Sequence, residues 1–150
     1  MIRTLSAAIL LTLAVGVATA QADPCQAIPD SGPAPSWVKP GAAFGGQVRF
    51  VIDGDGLCVG NSPDPKTWVE VRLSDLYAPE LSEPGGQFAK ATLSRLAMGQ
   101  QAQCRIEGGK GGRARSYDRL LAVCRINGRS LGAQMRAAGI DQGGRGYGSR

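Results

Sequence analysis

Periodicity is the feature that most constrains this chain. Five runs alternate apolar and polar residues with the period of two that a half-buried strand requires. A run of helical period stands between the third and the fourth. The first strand is expected in "QVRFVI", where Val48, Phe50 and Ile52 alternate with Gln47, Arg49 and Val51. Asp53-Gly54-Asp55-Gly56 interrupts it, and Leu57 and Val59 resume a strand. After the turn "NSPDPKT", the run "WVEVRL" points Val69, Val71 and Leu73 inward and Glu70 and Arg72 outward.

The period then changes. In "LSEPGGQFAKATLSRLAMGQ", Phe88, Thr92, Leu96, Leu93 and Ala97 form one helical face, with Pro84 and glycines ahead of it and Gly99 behind. "QAQCRIE" returns to alternation, with Ala102, Cys104 and Ile106 on one face. "GGKGGRARSYD" is a glycine-rich basic loop, and "RLLAVCRI" is a fifth strand burying Leu120, Ala122, Cys124 and Ile126. "SLGAQMRAAGI" is a short helix on Leu131, Met135 and Ala138, stopped by Gly139. This order predicts an α+β, mostly β architecture: a five-stranded OB-fold barrel over residues 47–140, with a helix after strand three and a C-terminal helix.

The 150 residues leave room for one such domain, expected to be a monomer. Residues 1–20 read as a secretory signal peptide: Arg3, an apolar run from Leu5 to Val17, then Ala18-Thr19-Ala20 as a cleavage site. The run of about 13 apolar residues is short of the roughly 20 a membrane span needs. A secreted or periplasmic chain with no stable membrane span is therefore expected. Residues 21–46 form a Pro/Gly-rich arm, and 141–150 a basic tail with no core pattern, expected to be disordered.

Cys25, Cys58, Cys104 and Cys124 are an even set in an exported chain, which favours two disulfides. Three pairings are possible. Cys104 and Cys124 fall on the apolar faces of two strands joined by one loop, so a bond between them is one option. It would leave Cys25 for Cys58, expected to face outward on its strand. The other option is that Cys104 and Cys124 are small buried thiols.

Charge is uneven. From Arg105 to Arg150 there are ten bases against three acids, a net +7, which suits a polyanionic partner or simple solubility. The chain has no histidine. Histidine general acid–base chemistry, serine–histidine triads and histidine-ligated zinc are excluded. Any hydrolysis must run on carboxylates and arginines, with or without a metal.

Three local stretches, "VIDGDG", "VRLSDLYAPE" and "SYDRLLA", resemble in order and placement the staphylococcal nuclease (thermonuclease) family. The resemblance runs from about Val48 to Ile140. It implies calcium-dependent hydrolysis of DNA or RNA phosphodiesters, with Asp55 as a calcium ligand, Glu80 as the general base and Arg72 and Arg119 clamping the phosphate. The chemistry is coherent in itself. Attack on a phosphodiester builds negative charge that two guanidinium forks can neutralise, and a carboxylate can take a proton from water. Taken singly, Arg72 could pair with Glu70, Arg119 with Asp118 or Glu107, and Glu80 could be a helix-start acid.

The chain departs from the pattern of that family in two places. Tyr77 stands where the family has a second calcium carboxylate, and Gly56 where it has threonine. A phenol is a poor calcium ligand, and calcium affinity follows the number of charged donors. A weakened Ca2+ site is expected, with Asp53 or, less directly, Asp75 as substitutes. No bidentate glutamate follows at the spacing an EF-hand needs. Lys110, Arg113, Arg115 and Tyr117 of the basic loop are candidate contacts to nucleic acid, and Tyr147 of the tail is a candidate stacking residue. Three readings follow: a nuclease with an altered cation site, a catalytically weak or inactive barrel that binds nucleic acid or another polyanion, and a small envelope protein in which these residues only support the fold.

Overall fold

A computed structural model of the chain describes residues 23–140 and 142–143. The expected signal peptide, Tyr147 and the expected tail apart from Gln142 and Gly143 lie outside the described residues. The strands are β1 (Ala43–Val51), β2 (Gly56–Gly60), β3 (Val69–Leu73), β4 (Gln101–Ile106), β5 (Arg115–Ser116), β6 (Arg119–Ile126) and β7 (Arg129–Ser130). The helices are α1 (Gly86–Ala97), between β3 and β4, and α2 (Leu131–Ala137), after β7.

Five strands close a barrel in the order β3-β2-β1-β4-β6, sealed by the parallel pair of β3 with β6. With two short extra strands and two helices, this is an OB-like α+β fold. β1 makes the closure possible because it serves two neighbours. Residues from Ala43 to Gln47 pair with β4, and Gln47 to Val51 pair with β2. A register shift between Val48 and Phe50 bends the strand. The bulge also changes which side chains face inward. Val48 and Val51 are buried, and Phe50 is only half-buried beside Lys90, 5.8 Å from its ring. The strict alternation expected for this strand stops at the bulge, and the strand starts four residues before Gln47.

β4 and β6 keep their expected faces. Ala102, Cys104 and Ile106, and Leu120, Ala122, Cys124 and Ile126, are all buried. Cys104 is the direct cross-strand partner of Cys124, and the two form a disulfide. Cys25 is bonded to Cys58. Cys58 points away from the barrel interior yet is fully buried, because the arm lies over it. That arm is irregular but packed. Gln26 N–H donates to Pro65 C=O at 3.2 Å, Ala27 N–H donates to Trp68 C=O at 3.0 Å, and Ile28 packs with Ile106 and Leu120.

The helix α1 buries Ala89, Thr92, Leu93 and Ala97. Phe88, expected on that face, is exposed, since Ala89 turns to the barrel in its place. In α2, Leu131 and Met135 are buried as expected, and Ser130 caps the start by accepting from Ala133 N–H at 3.0 Å. Ala138 is only half-buried. Among the described residues no helix is long and apolar enough to cross a membrane.

Candidate functional site

The turn between β1 and β2 delivers the first acids. Asp53 Oδ1 accepts from Asp55 N–H at 3.0 Å, a local turn that holds the two aspartates in fixed relation. Gly54 lies tight against the neighbouring segments: a Cβ there would stand 2.5 Å from Ala78 Cβ and 2.7 Å from Ala89 Cβ. The turn is thus pressed against α1 and the segment after β3. Asp55 is turned inward, only 3% exposed.

Both carboxylate oxygens of Asp55 are engaged. Oδ1 accepts from Arg72 Nη1 at 2.5 Å, and Oδ2 accepts from Ala78 N–H at 3.1 Å. Burial pushes the Asp55 carboxyl up to about 7. Arg72 and the Ala78 N–H pull it down, and the charges of Asp53 and Glu80 push it up. Asp53, Asp55, Arg72 and Glu80 therefore share one electrostatic neighbourhood. Tyr77 belongs to it too, with Arg72 Cζ lying 5.7 Å from the centre of its ring. The position that would carry a carboxylate in the resembled family carries an aromatic face for the arginine.

Glu80 is positioned by its own segment. Its N–H donates to Glu83 Oε2 at 2.8 Å, and its carbonyl accepts from Glu83 N–H at 2.8 Å. Gly86 lets α1 begin directly against this loop, because a Cβ there would fall 1.9 Å from the Glu80 carbonyl oxygen.

Arg119 opens β6 beside β3. The register pairs Val71 with Leu120 and Arg72 with Leu121, so Arg119 and Arg72 stand on the same outer face of adjacent strands. Each has an acid. Arg72 takes Asp55 rather than Glu70, and Arg119 Nε lies 3.9 Å from Glu70 Oε1. Glu70, expected on the solvent side, is 5% exposed under the arm. Burial first, then Asp118 and Asp23, raises its carboxyl to about 8 against the pull of Arg119. Burial also raises Asp118, with Asp23 and Asp30 adding to it and its own backbone N–H opposing. Oxygens of Asp23, Glu70 and Asp118 lie within 4.8 Å of one another. Like charges that close add to the burial that raises these acids.

The remaining candidates lie elsewhere. Asp75 faces the start of α2: its Oδ2 accepts from Ser130 Oγ at 2.6 Å, and its backbone oxygen accepts from Arg136. Asp75 is therefore a brace for α2 and not a member of the Asp55 group. Arg115 donates to Pro29 C=O at 2.8 Å and to Gly32 C=O at 2.5 Å, fastening the arm. Arg113 and Tyr117 are exposed on the basic loop, Tyr117 at a positive φ of 59°. The Lys110 side chain lies outside the described residues.

A groove of about 1170 Å³ runs across the outer face of β3 and β6, walled by Arg72, Tyr77, Arg136 and Gln142 and floored by Leu121 and Val123. Arg136 and Gln142 have no motif or periodic signal in the sequence. Gln142 arrives only because the chain after α2 turns back, with Gly143 N–H donating to Tyr77 C=O at 2.7 Å and Tyr77 N–H donating to Gln142 Oε1 at 3.4 Å.

Calcium does not fit this donor set. It needs about six to eight oxygens with open lone pairs. Here Asp55 has an N–H on each oxygen, one oxygen of Asp53 is held by the Asp55 amide, and Tyr77 offers a neutral phenol. Among the described residues, the three carboxylates close enough to share an ion are Asp23, Glu70 and Asp118, which do not include Asp55 or Glu80. No protein-family model matches the chain, and no curated protein matches it.

Proposed function

We propose that this chain is an exported phosphodiesterase acting on nucleic acid, a thermonuclease-like hydrolase whose cation site is altered. The observation that carries the reading is the Asp55–Arg72 pair, set at the barrel end within electrostatic reach of Glu80 and Asp53. Arg72 and Arg119, on one face of paired strands, are the groups that meet a phosphate and neutralise the charge that grows on it. Glu80 accepts the proton of the attacking water as the oxygen–phosphorus bond forms. The leaving oxygen takes its proton from solvent. The groove floor of Leu121 and Val123 with the Tyr77 ring offers an apolar and aromatic surface against which a base can lie. Two disulfides and the leader-like start support export to an oxidising compartment.

A second reading has its own support. Arg72 is already neutralised by Asp55 and covered by Tyr77, which suits a barrel that binds nucleic acid or another polyanion and cleaves it slowly or not at all. Cleavage of labelled single-stranded and duplex DNA and of RNA separates the two. The hydrolase reading expects cleavage that falls at least about 100-fold in Arg119→Lys, because a fork that binds two phosphate oxygens becomes a point charge. Salt-sensitive binding with no cleavage would support the second reading instead.

A further inference from the structure

The geometry points to a site that works without a divalent cation, because the guanidinium of Arg72 occupies the place on Asp55 that a metal would need. The inference rests on the phosphate-binding reading above and adds to it the source of positive charge. Three observations converge. The Arg72 Nη1 atom is 2.5 Å from Asp55 Oδ1, so the guanidinium is in direct contact with the carboxylate. The second oxygen accepts from the Ala78 N–H, and the carboxylate is buried, only 3% exposed. The Tyr77 ring then lies against the guanidinium, a neutral and polarisable cover that favours a fixed organic cation over a hydrated metal. The charge that a cation would bring to the phosphate is built into the chain, and the phosphate contacts come from Arg72 and Arg119.

The test uses the oxidised full chain and two readouts. The first is thermal melting in 5 mM EDTA and in 10 mM calcium chloride, on the native protein and on Asp55→Asn and Asp118→Asn. The native melting temperature is expected to agree within about 1 °C between the two buffers. A calcium-induced rise that vanishes in Asp118→Asn but persists in Asp55→Asn also supports the inference, since the ion then sits on the Asp23–Glu70–Asp118 trio. A rise of several degrees that vanishes in Asp55→Asn overturns it. The second readout is the affinity of a fluorescent ten-residue oligothymidine. Equal affinity within twofold in both buffers, with at least tenfold loss in Arg72→Gln, is expected. Arg72→Lys serves where the glutamine variant does not fold. A tenfold loss of native affinity in EDTA overturns the inference. Absence of oligonucleotide binding in every buffer counts against the phosphate-binding reading alone, because the melting experiment reads the Asp55 site without substrate.

Discussion

The Arg72 guanidinium rests on the buried carboxylate of Asp55, Nη1 to Oδ1 2.5 Å, linking β3 to the turn that joins β1 and β2. The contact joins residues 17 apart in sequence and fixes an end of the barrel where acids and an arginine meet. Breaking it by removing the arginine leaves a buried acid with only the Ala78 N–H for support. Arg72→Ala is predicted to cost about 3 kcal/mol of stability, near the lower end for a buried pair that loses one partner. Urea unfolding of the two proteins measures it. A loss below about 0.5 kcal/mol would mean the pair behaves as a surface ion pair.

Gly54 and Gly86 hold the acids of the site in place by having no side chain. Gly86→Ala would drive a methyl into the Glu80 carbonyl, and Gly54→Ala would drive one into Ala78 and Ala89. Each is predicted to destabilise the domain by about 1–3 kcal/mol, the range for forced overpacking. Gly86→Ala should also lower cleavage more than it lowers oligonucleotide affinity, because it displaces Glu80 and not the arginines. Equal losses in both would detach Glu80 from the chemistry.

Stability should depend on pH through Glu70. Its carboxyl lies near 4.5 when unfolded and is raised to about 8 in the fold. The folded chain therefore holds the proton more tightly between those values, and stability falls as pH rises from about 4.5 to about 8. The groups facing Glu70 are Asp118, Asp23 and Arg119, with Asp30 acting on Asp118. The melting temperature is predicted to fall by about 5 °C or more from pH 5 to pH 8. Asp55, raised from 3.8 to about 7, adds to the slope below pH 7, so Glu70→Gln should flatten it chiefly between pH 7 and pH 8, and a slope unchanged there would assign it to another group.

The two disulfides should act on different parts of the fold. Cys104–Cys124 ties two barrel strands, and Cys25–Cys58 ties the arm. Each double alanine variant is predicted to lose about 2–4 kcal/mol. Loss of Cys25–Cys58 should in addition expose the Glu70 region, read as faster amide exchange at Ala27 and Glu70. Exchange unchanged there would show that Arg115 and Ile28 hold the arm without the bond.

Much of the barrel was legible because β4 and β6 are half-buried strands whose inward residues show a plain alternation. The burial of Cys104 and Cys124 followed from it. β1 was read less well, since the bulge after Val48 exchanges Phe50 for Val51 at the core and no residue type announces it. Glu70 and Cys58 alternated as outward residues and are outward from the barrel, yet a second layer, the arm, buries them. In the candidate site, the turn aspartates, Arg72, Tyr77 and Glu80 were singled out by the resemblance of their local motifs, and the fold brings them into one electrostatic neighbourhood. Their pairing was not legible. Whether Arg72 meets Glu70 or Asp55 depends on how tightly the Asp53–Asp55 turn packs against Ala78 and Ala89, a three-dimensional fact. Asp75 was the weaker of the two substitutes offered by the sequence, and the approach of α2 claims it.

The most direct measurement is cleavage of a labelled single strand by the native oxidised chain and by Glu80→Gln, purified side by side, in EDTA and in calcium. The account predicts cleavage by the native chain in both buffers. It predicts a fall of at least about 100-fold in Glu80→Gln, the lower end of what a general base supplies, with oligonucleotide affinity held within about threefold. No cleavage by the native chain, or equal rates from the two proteins, would contradict it.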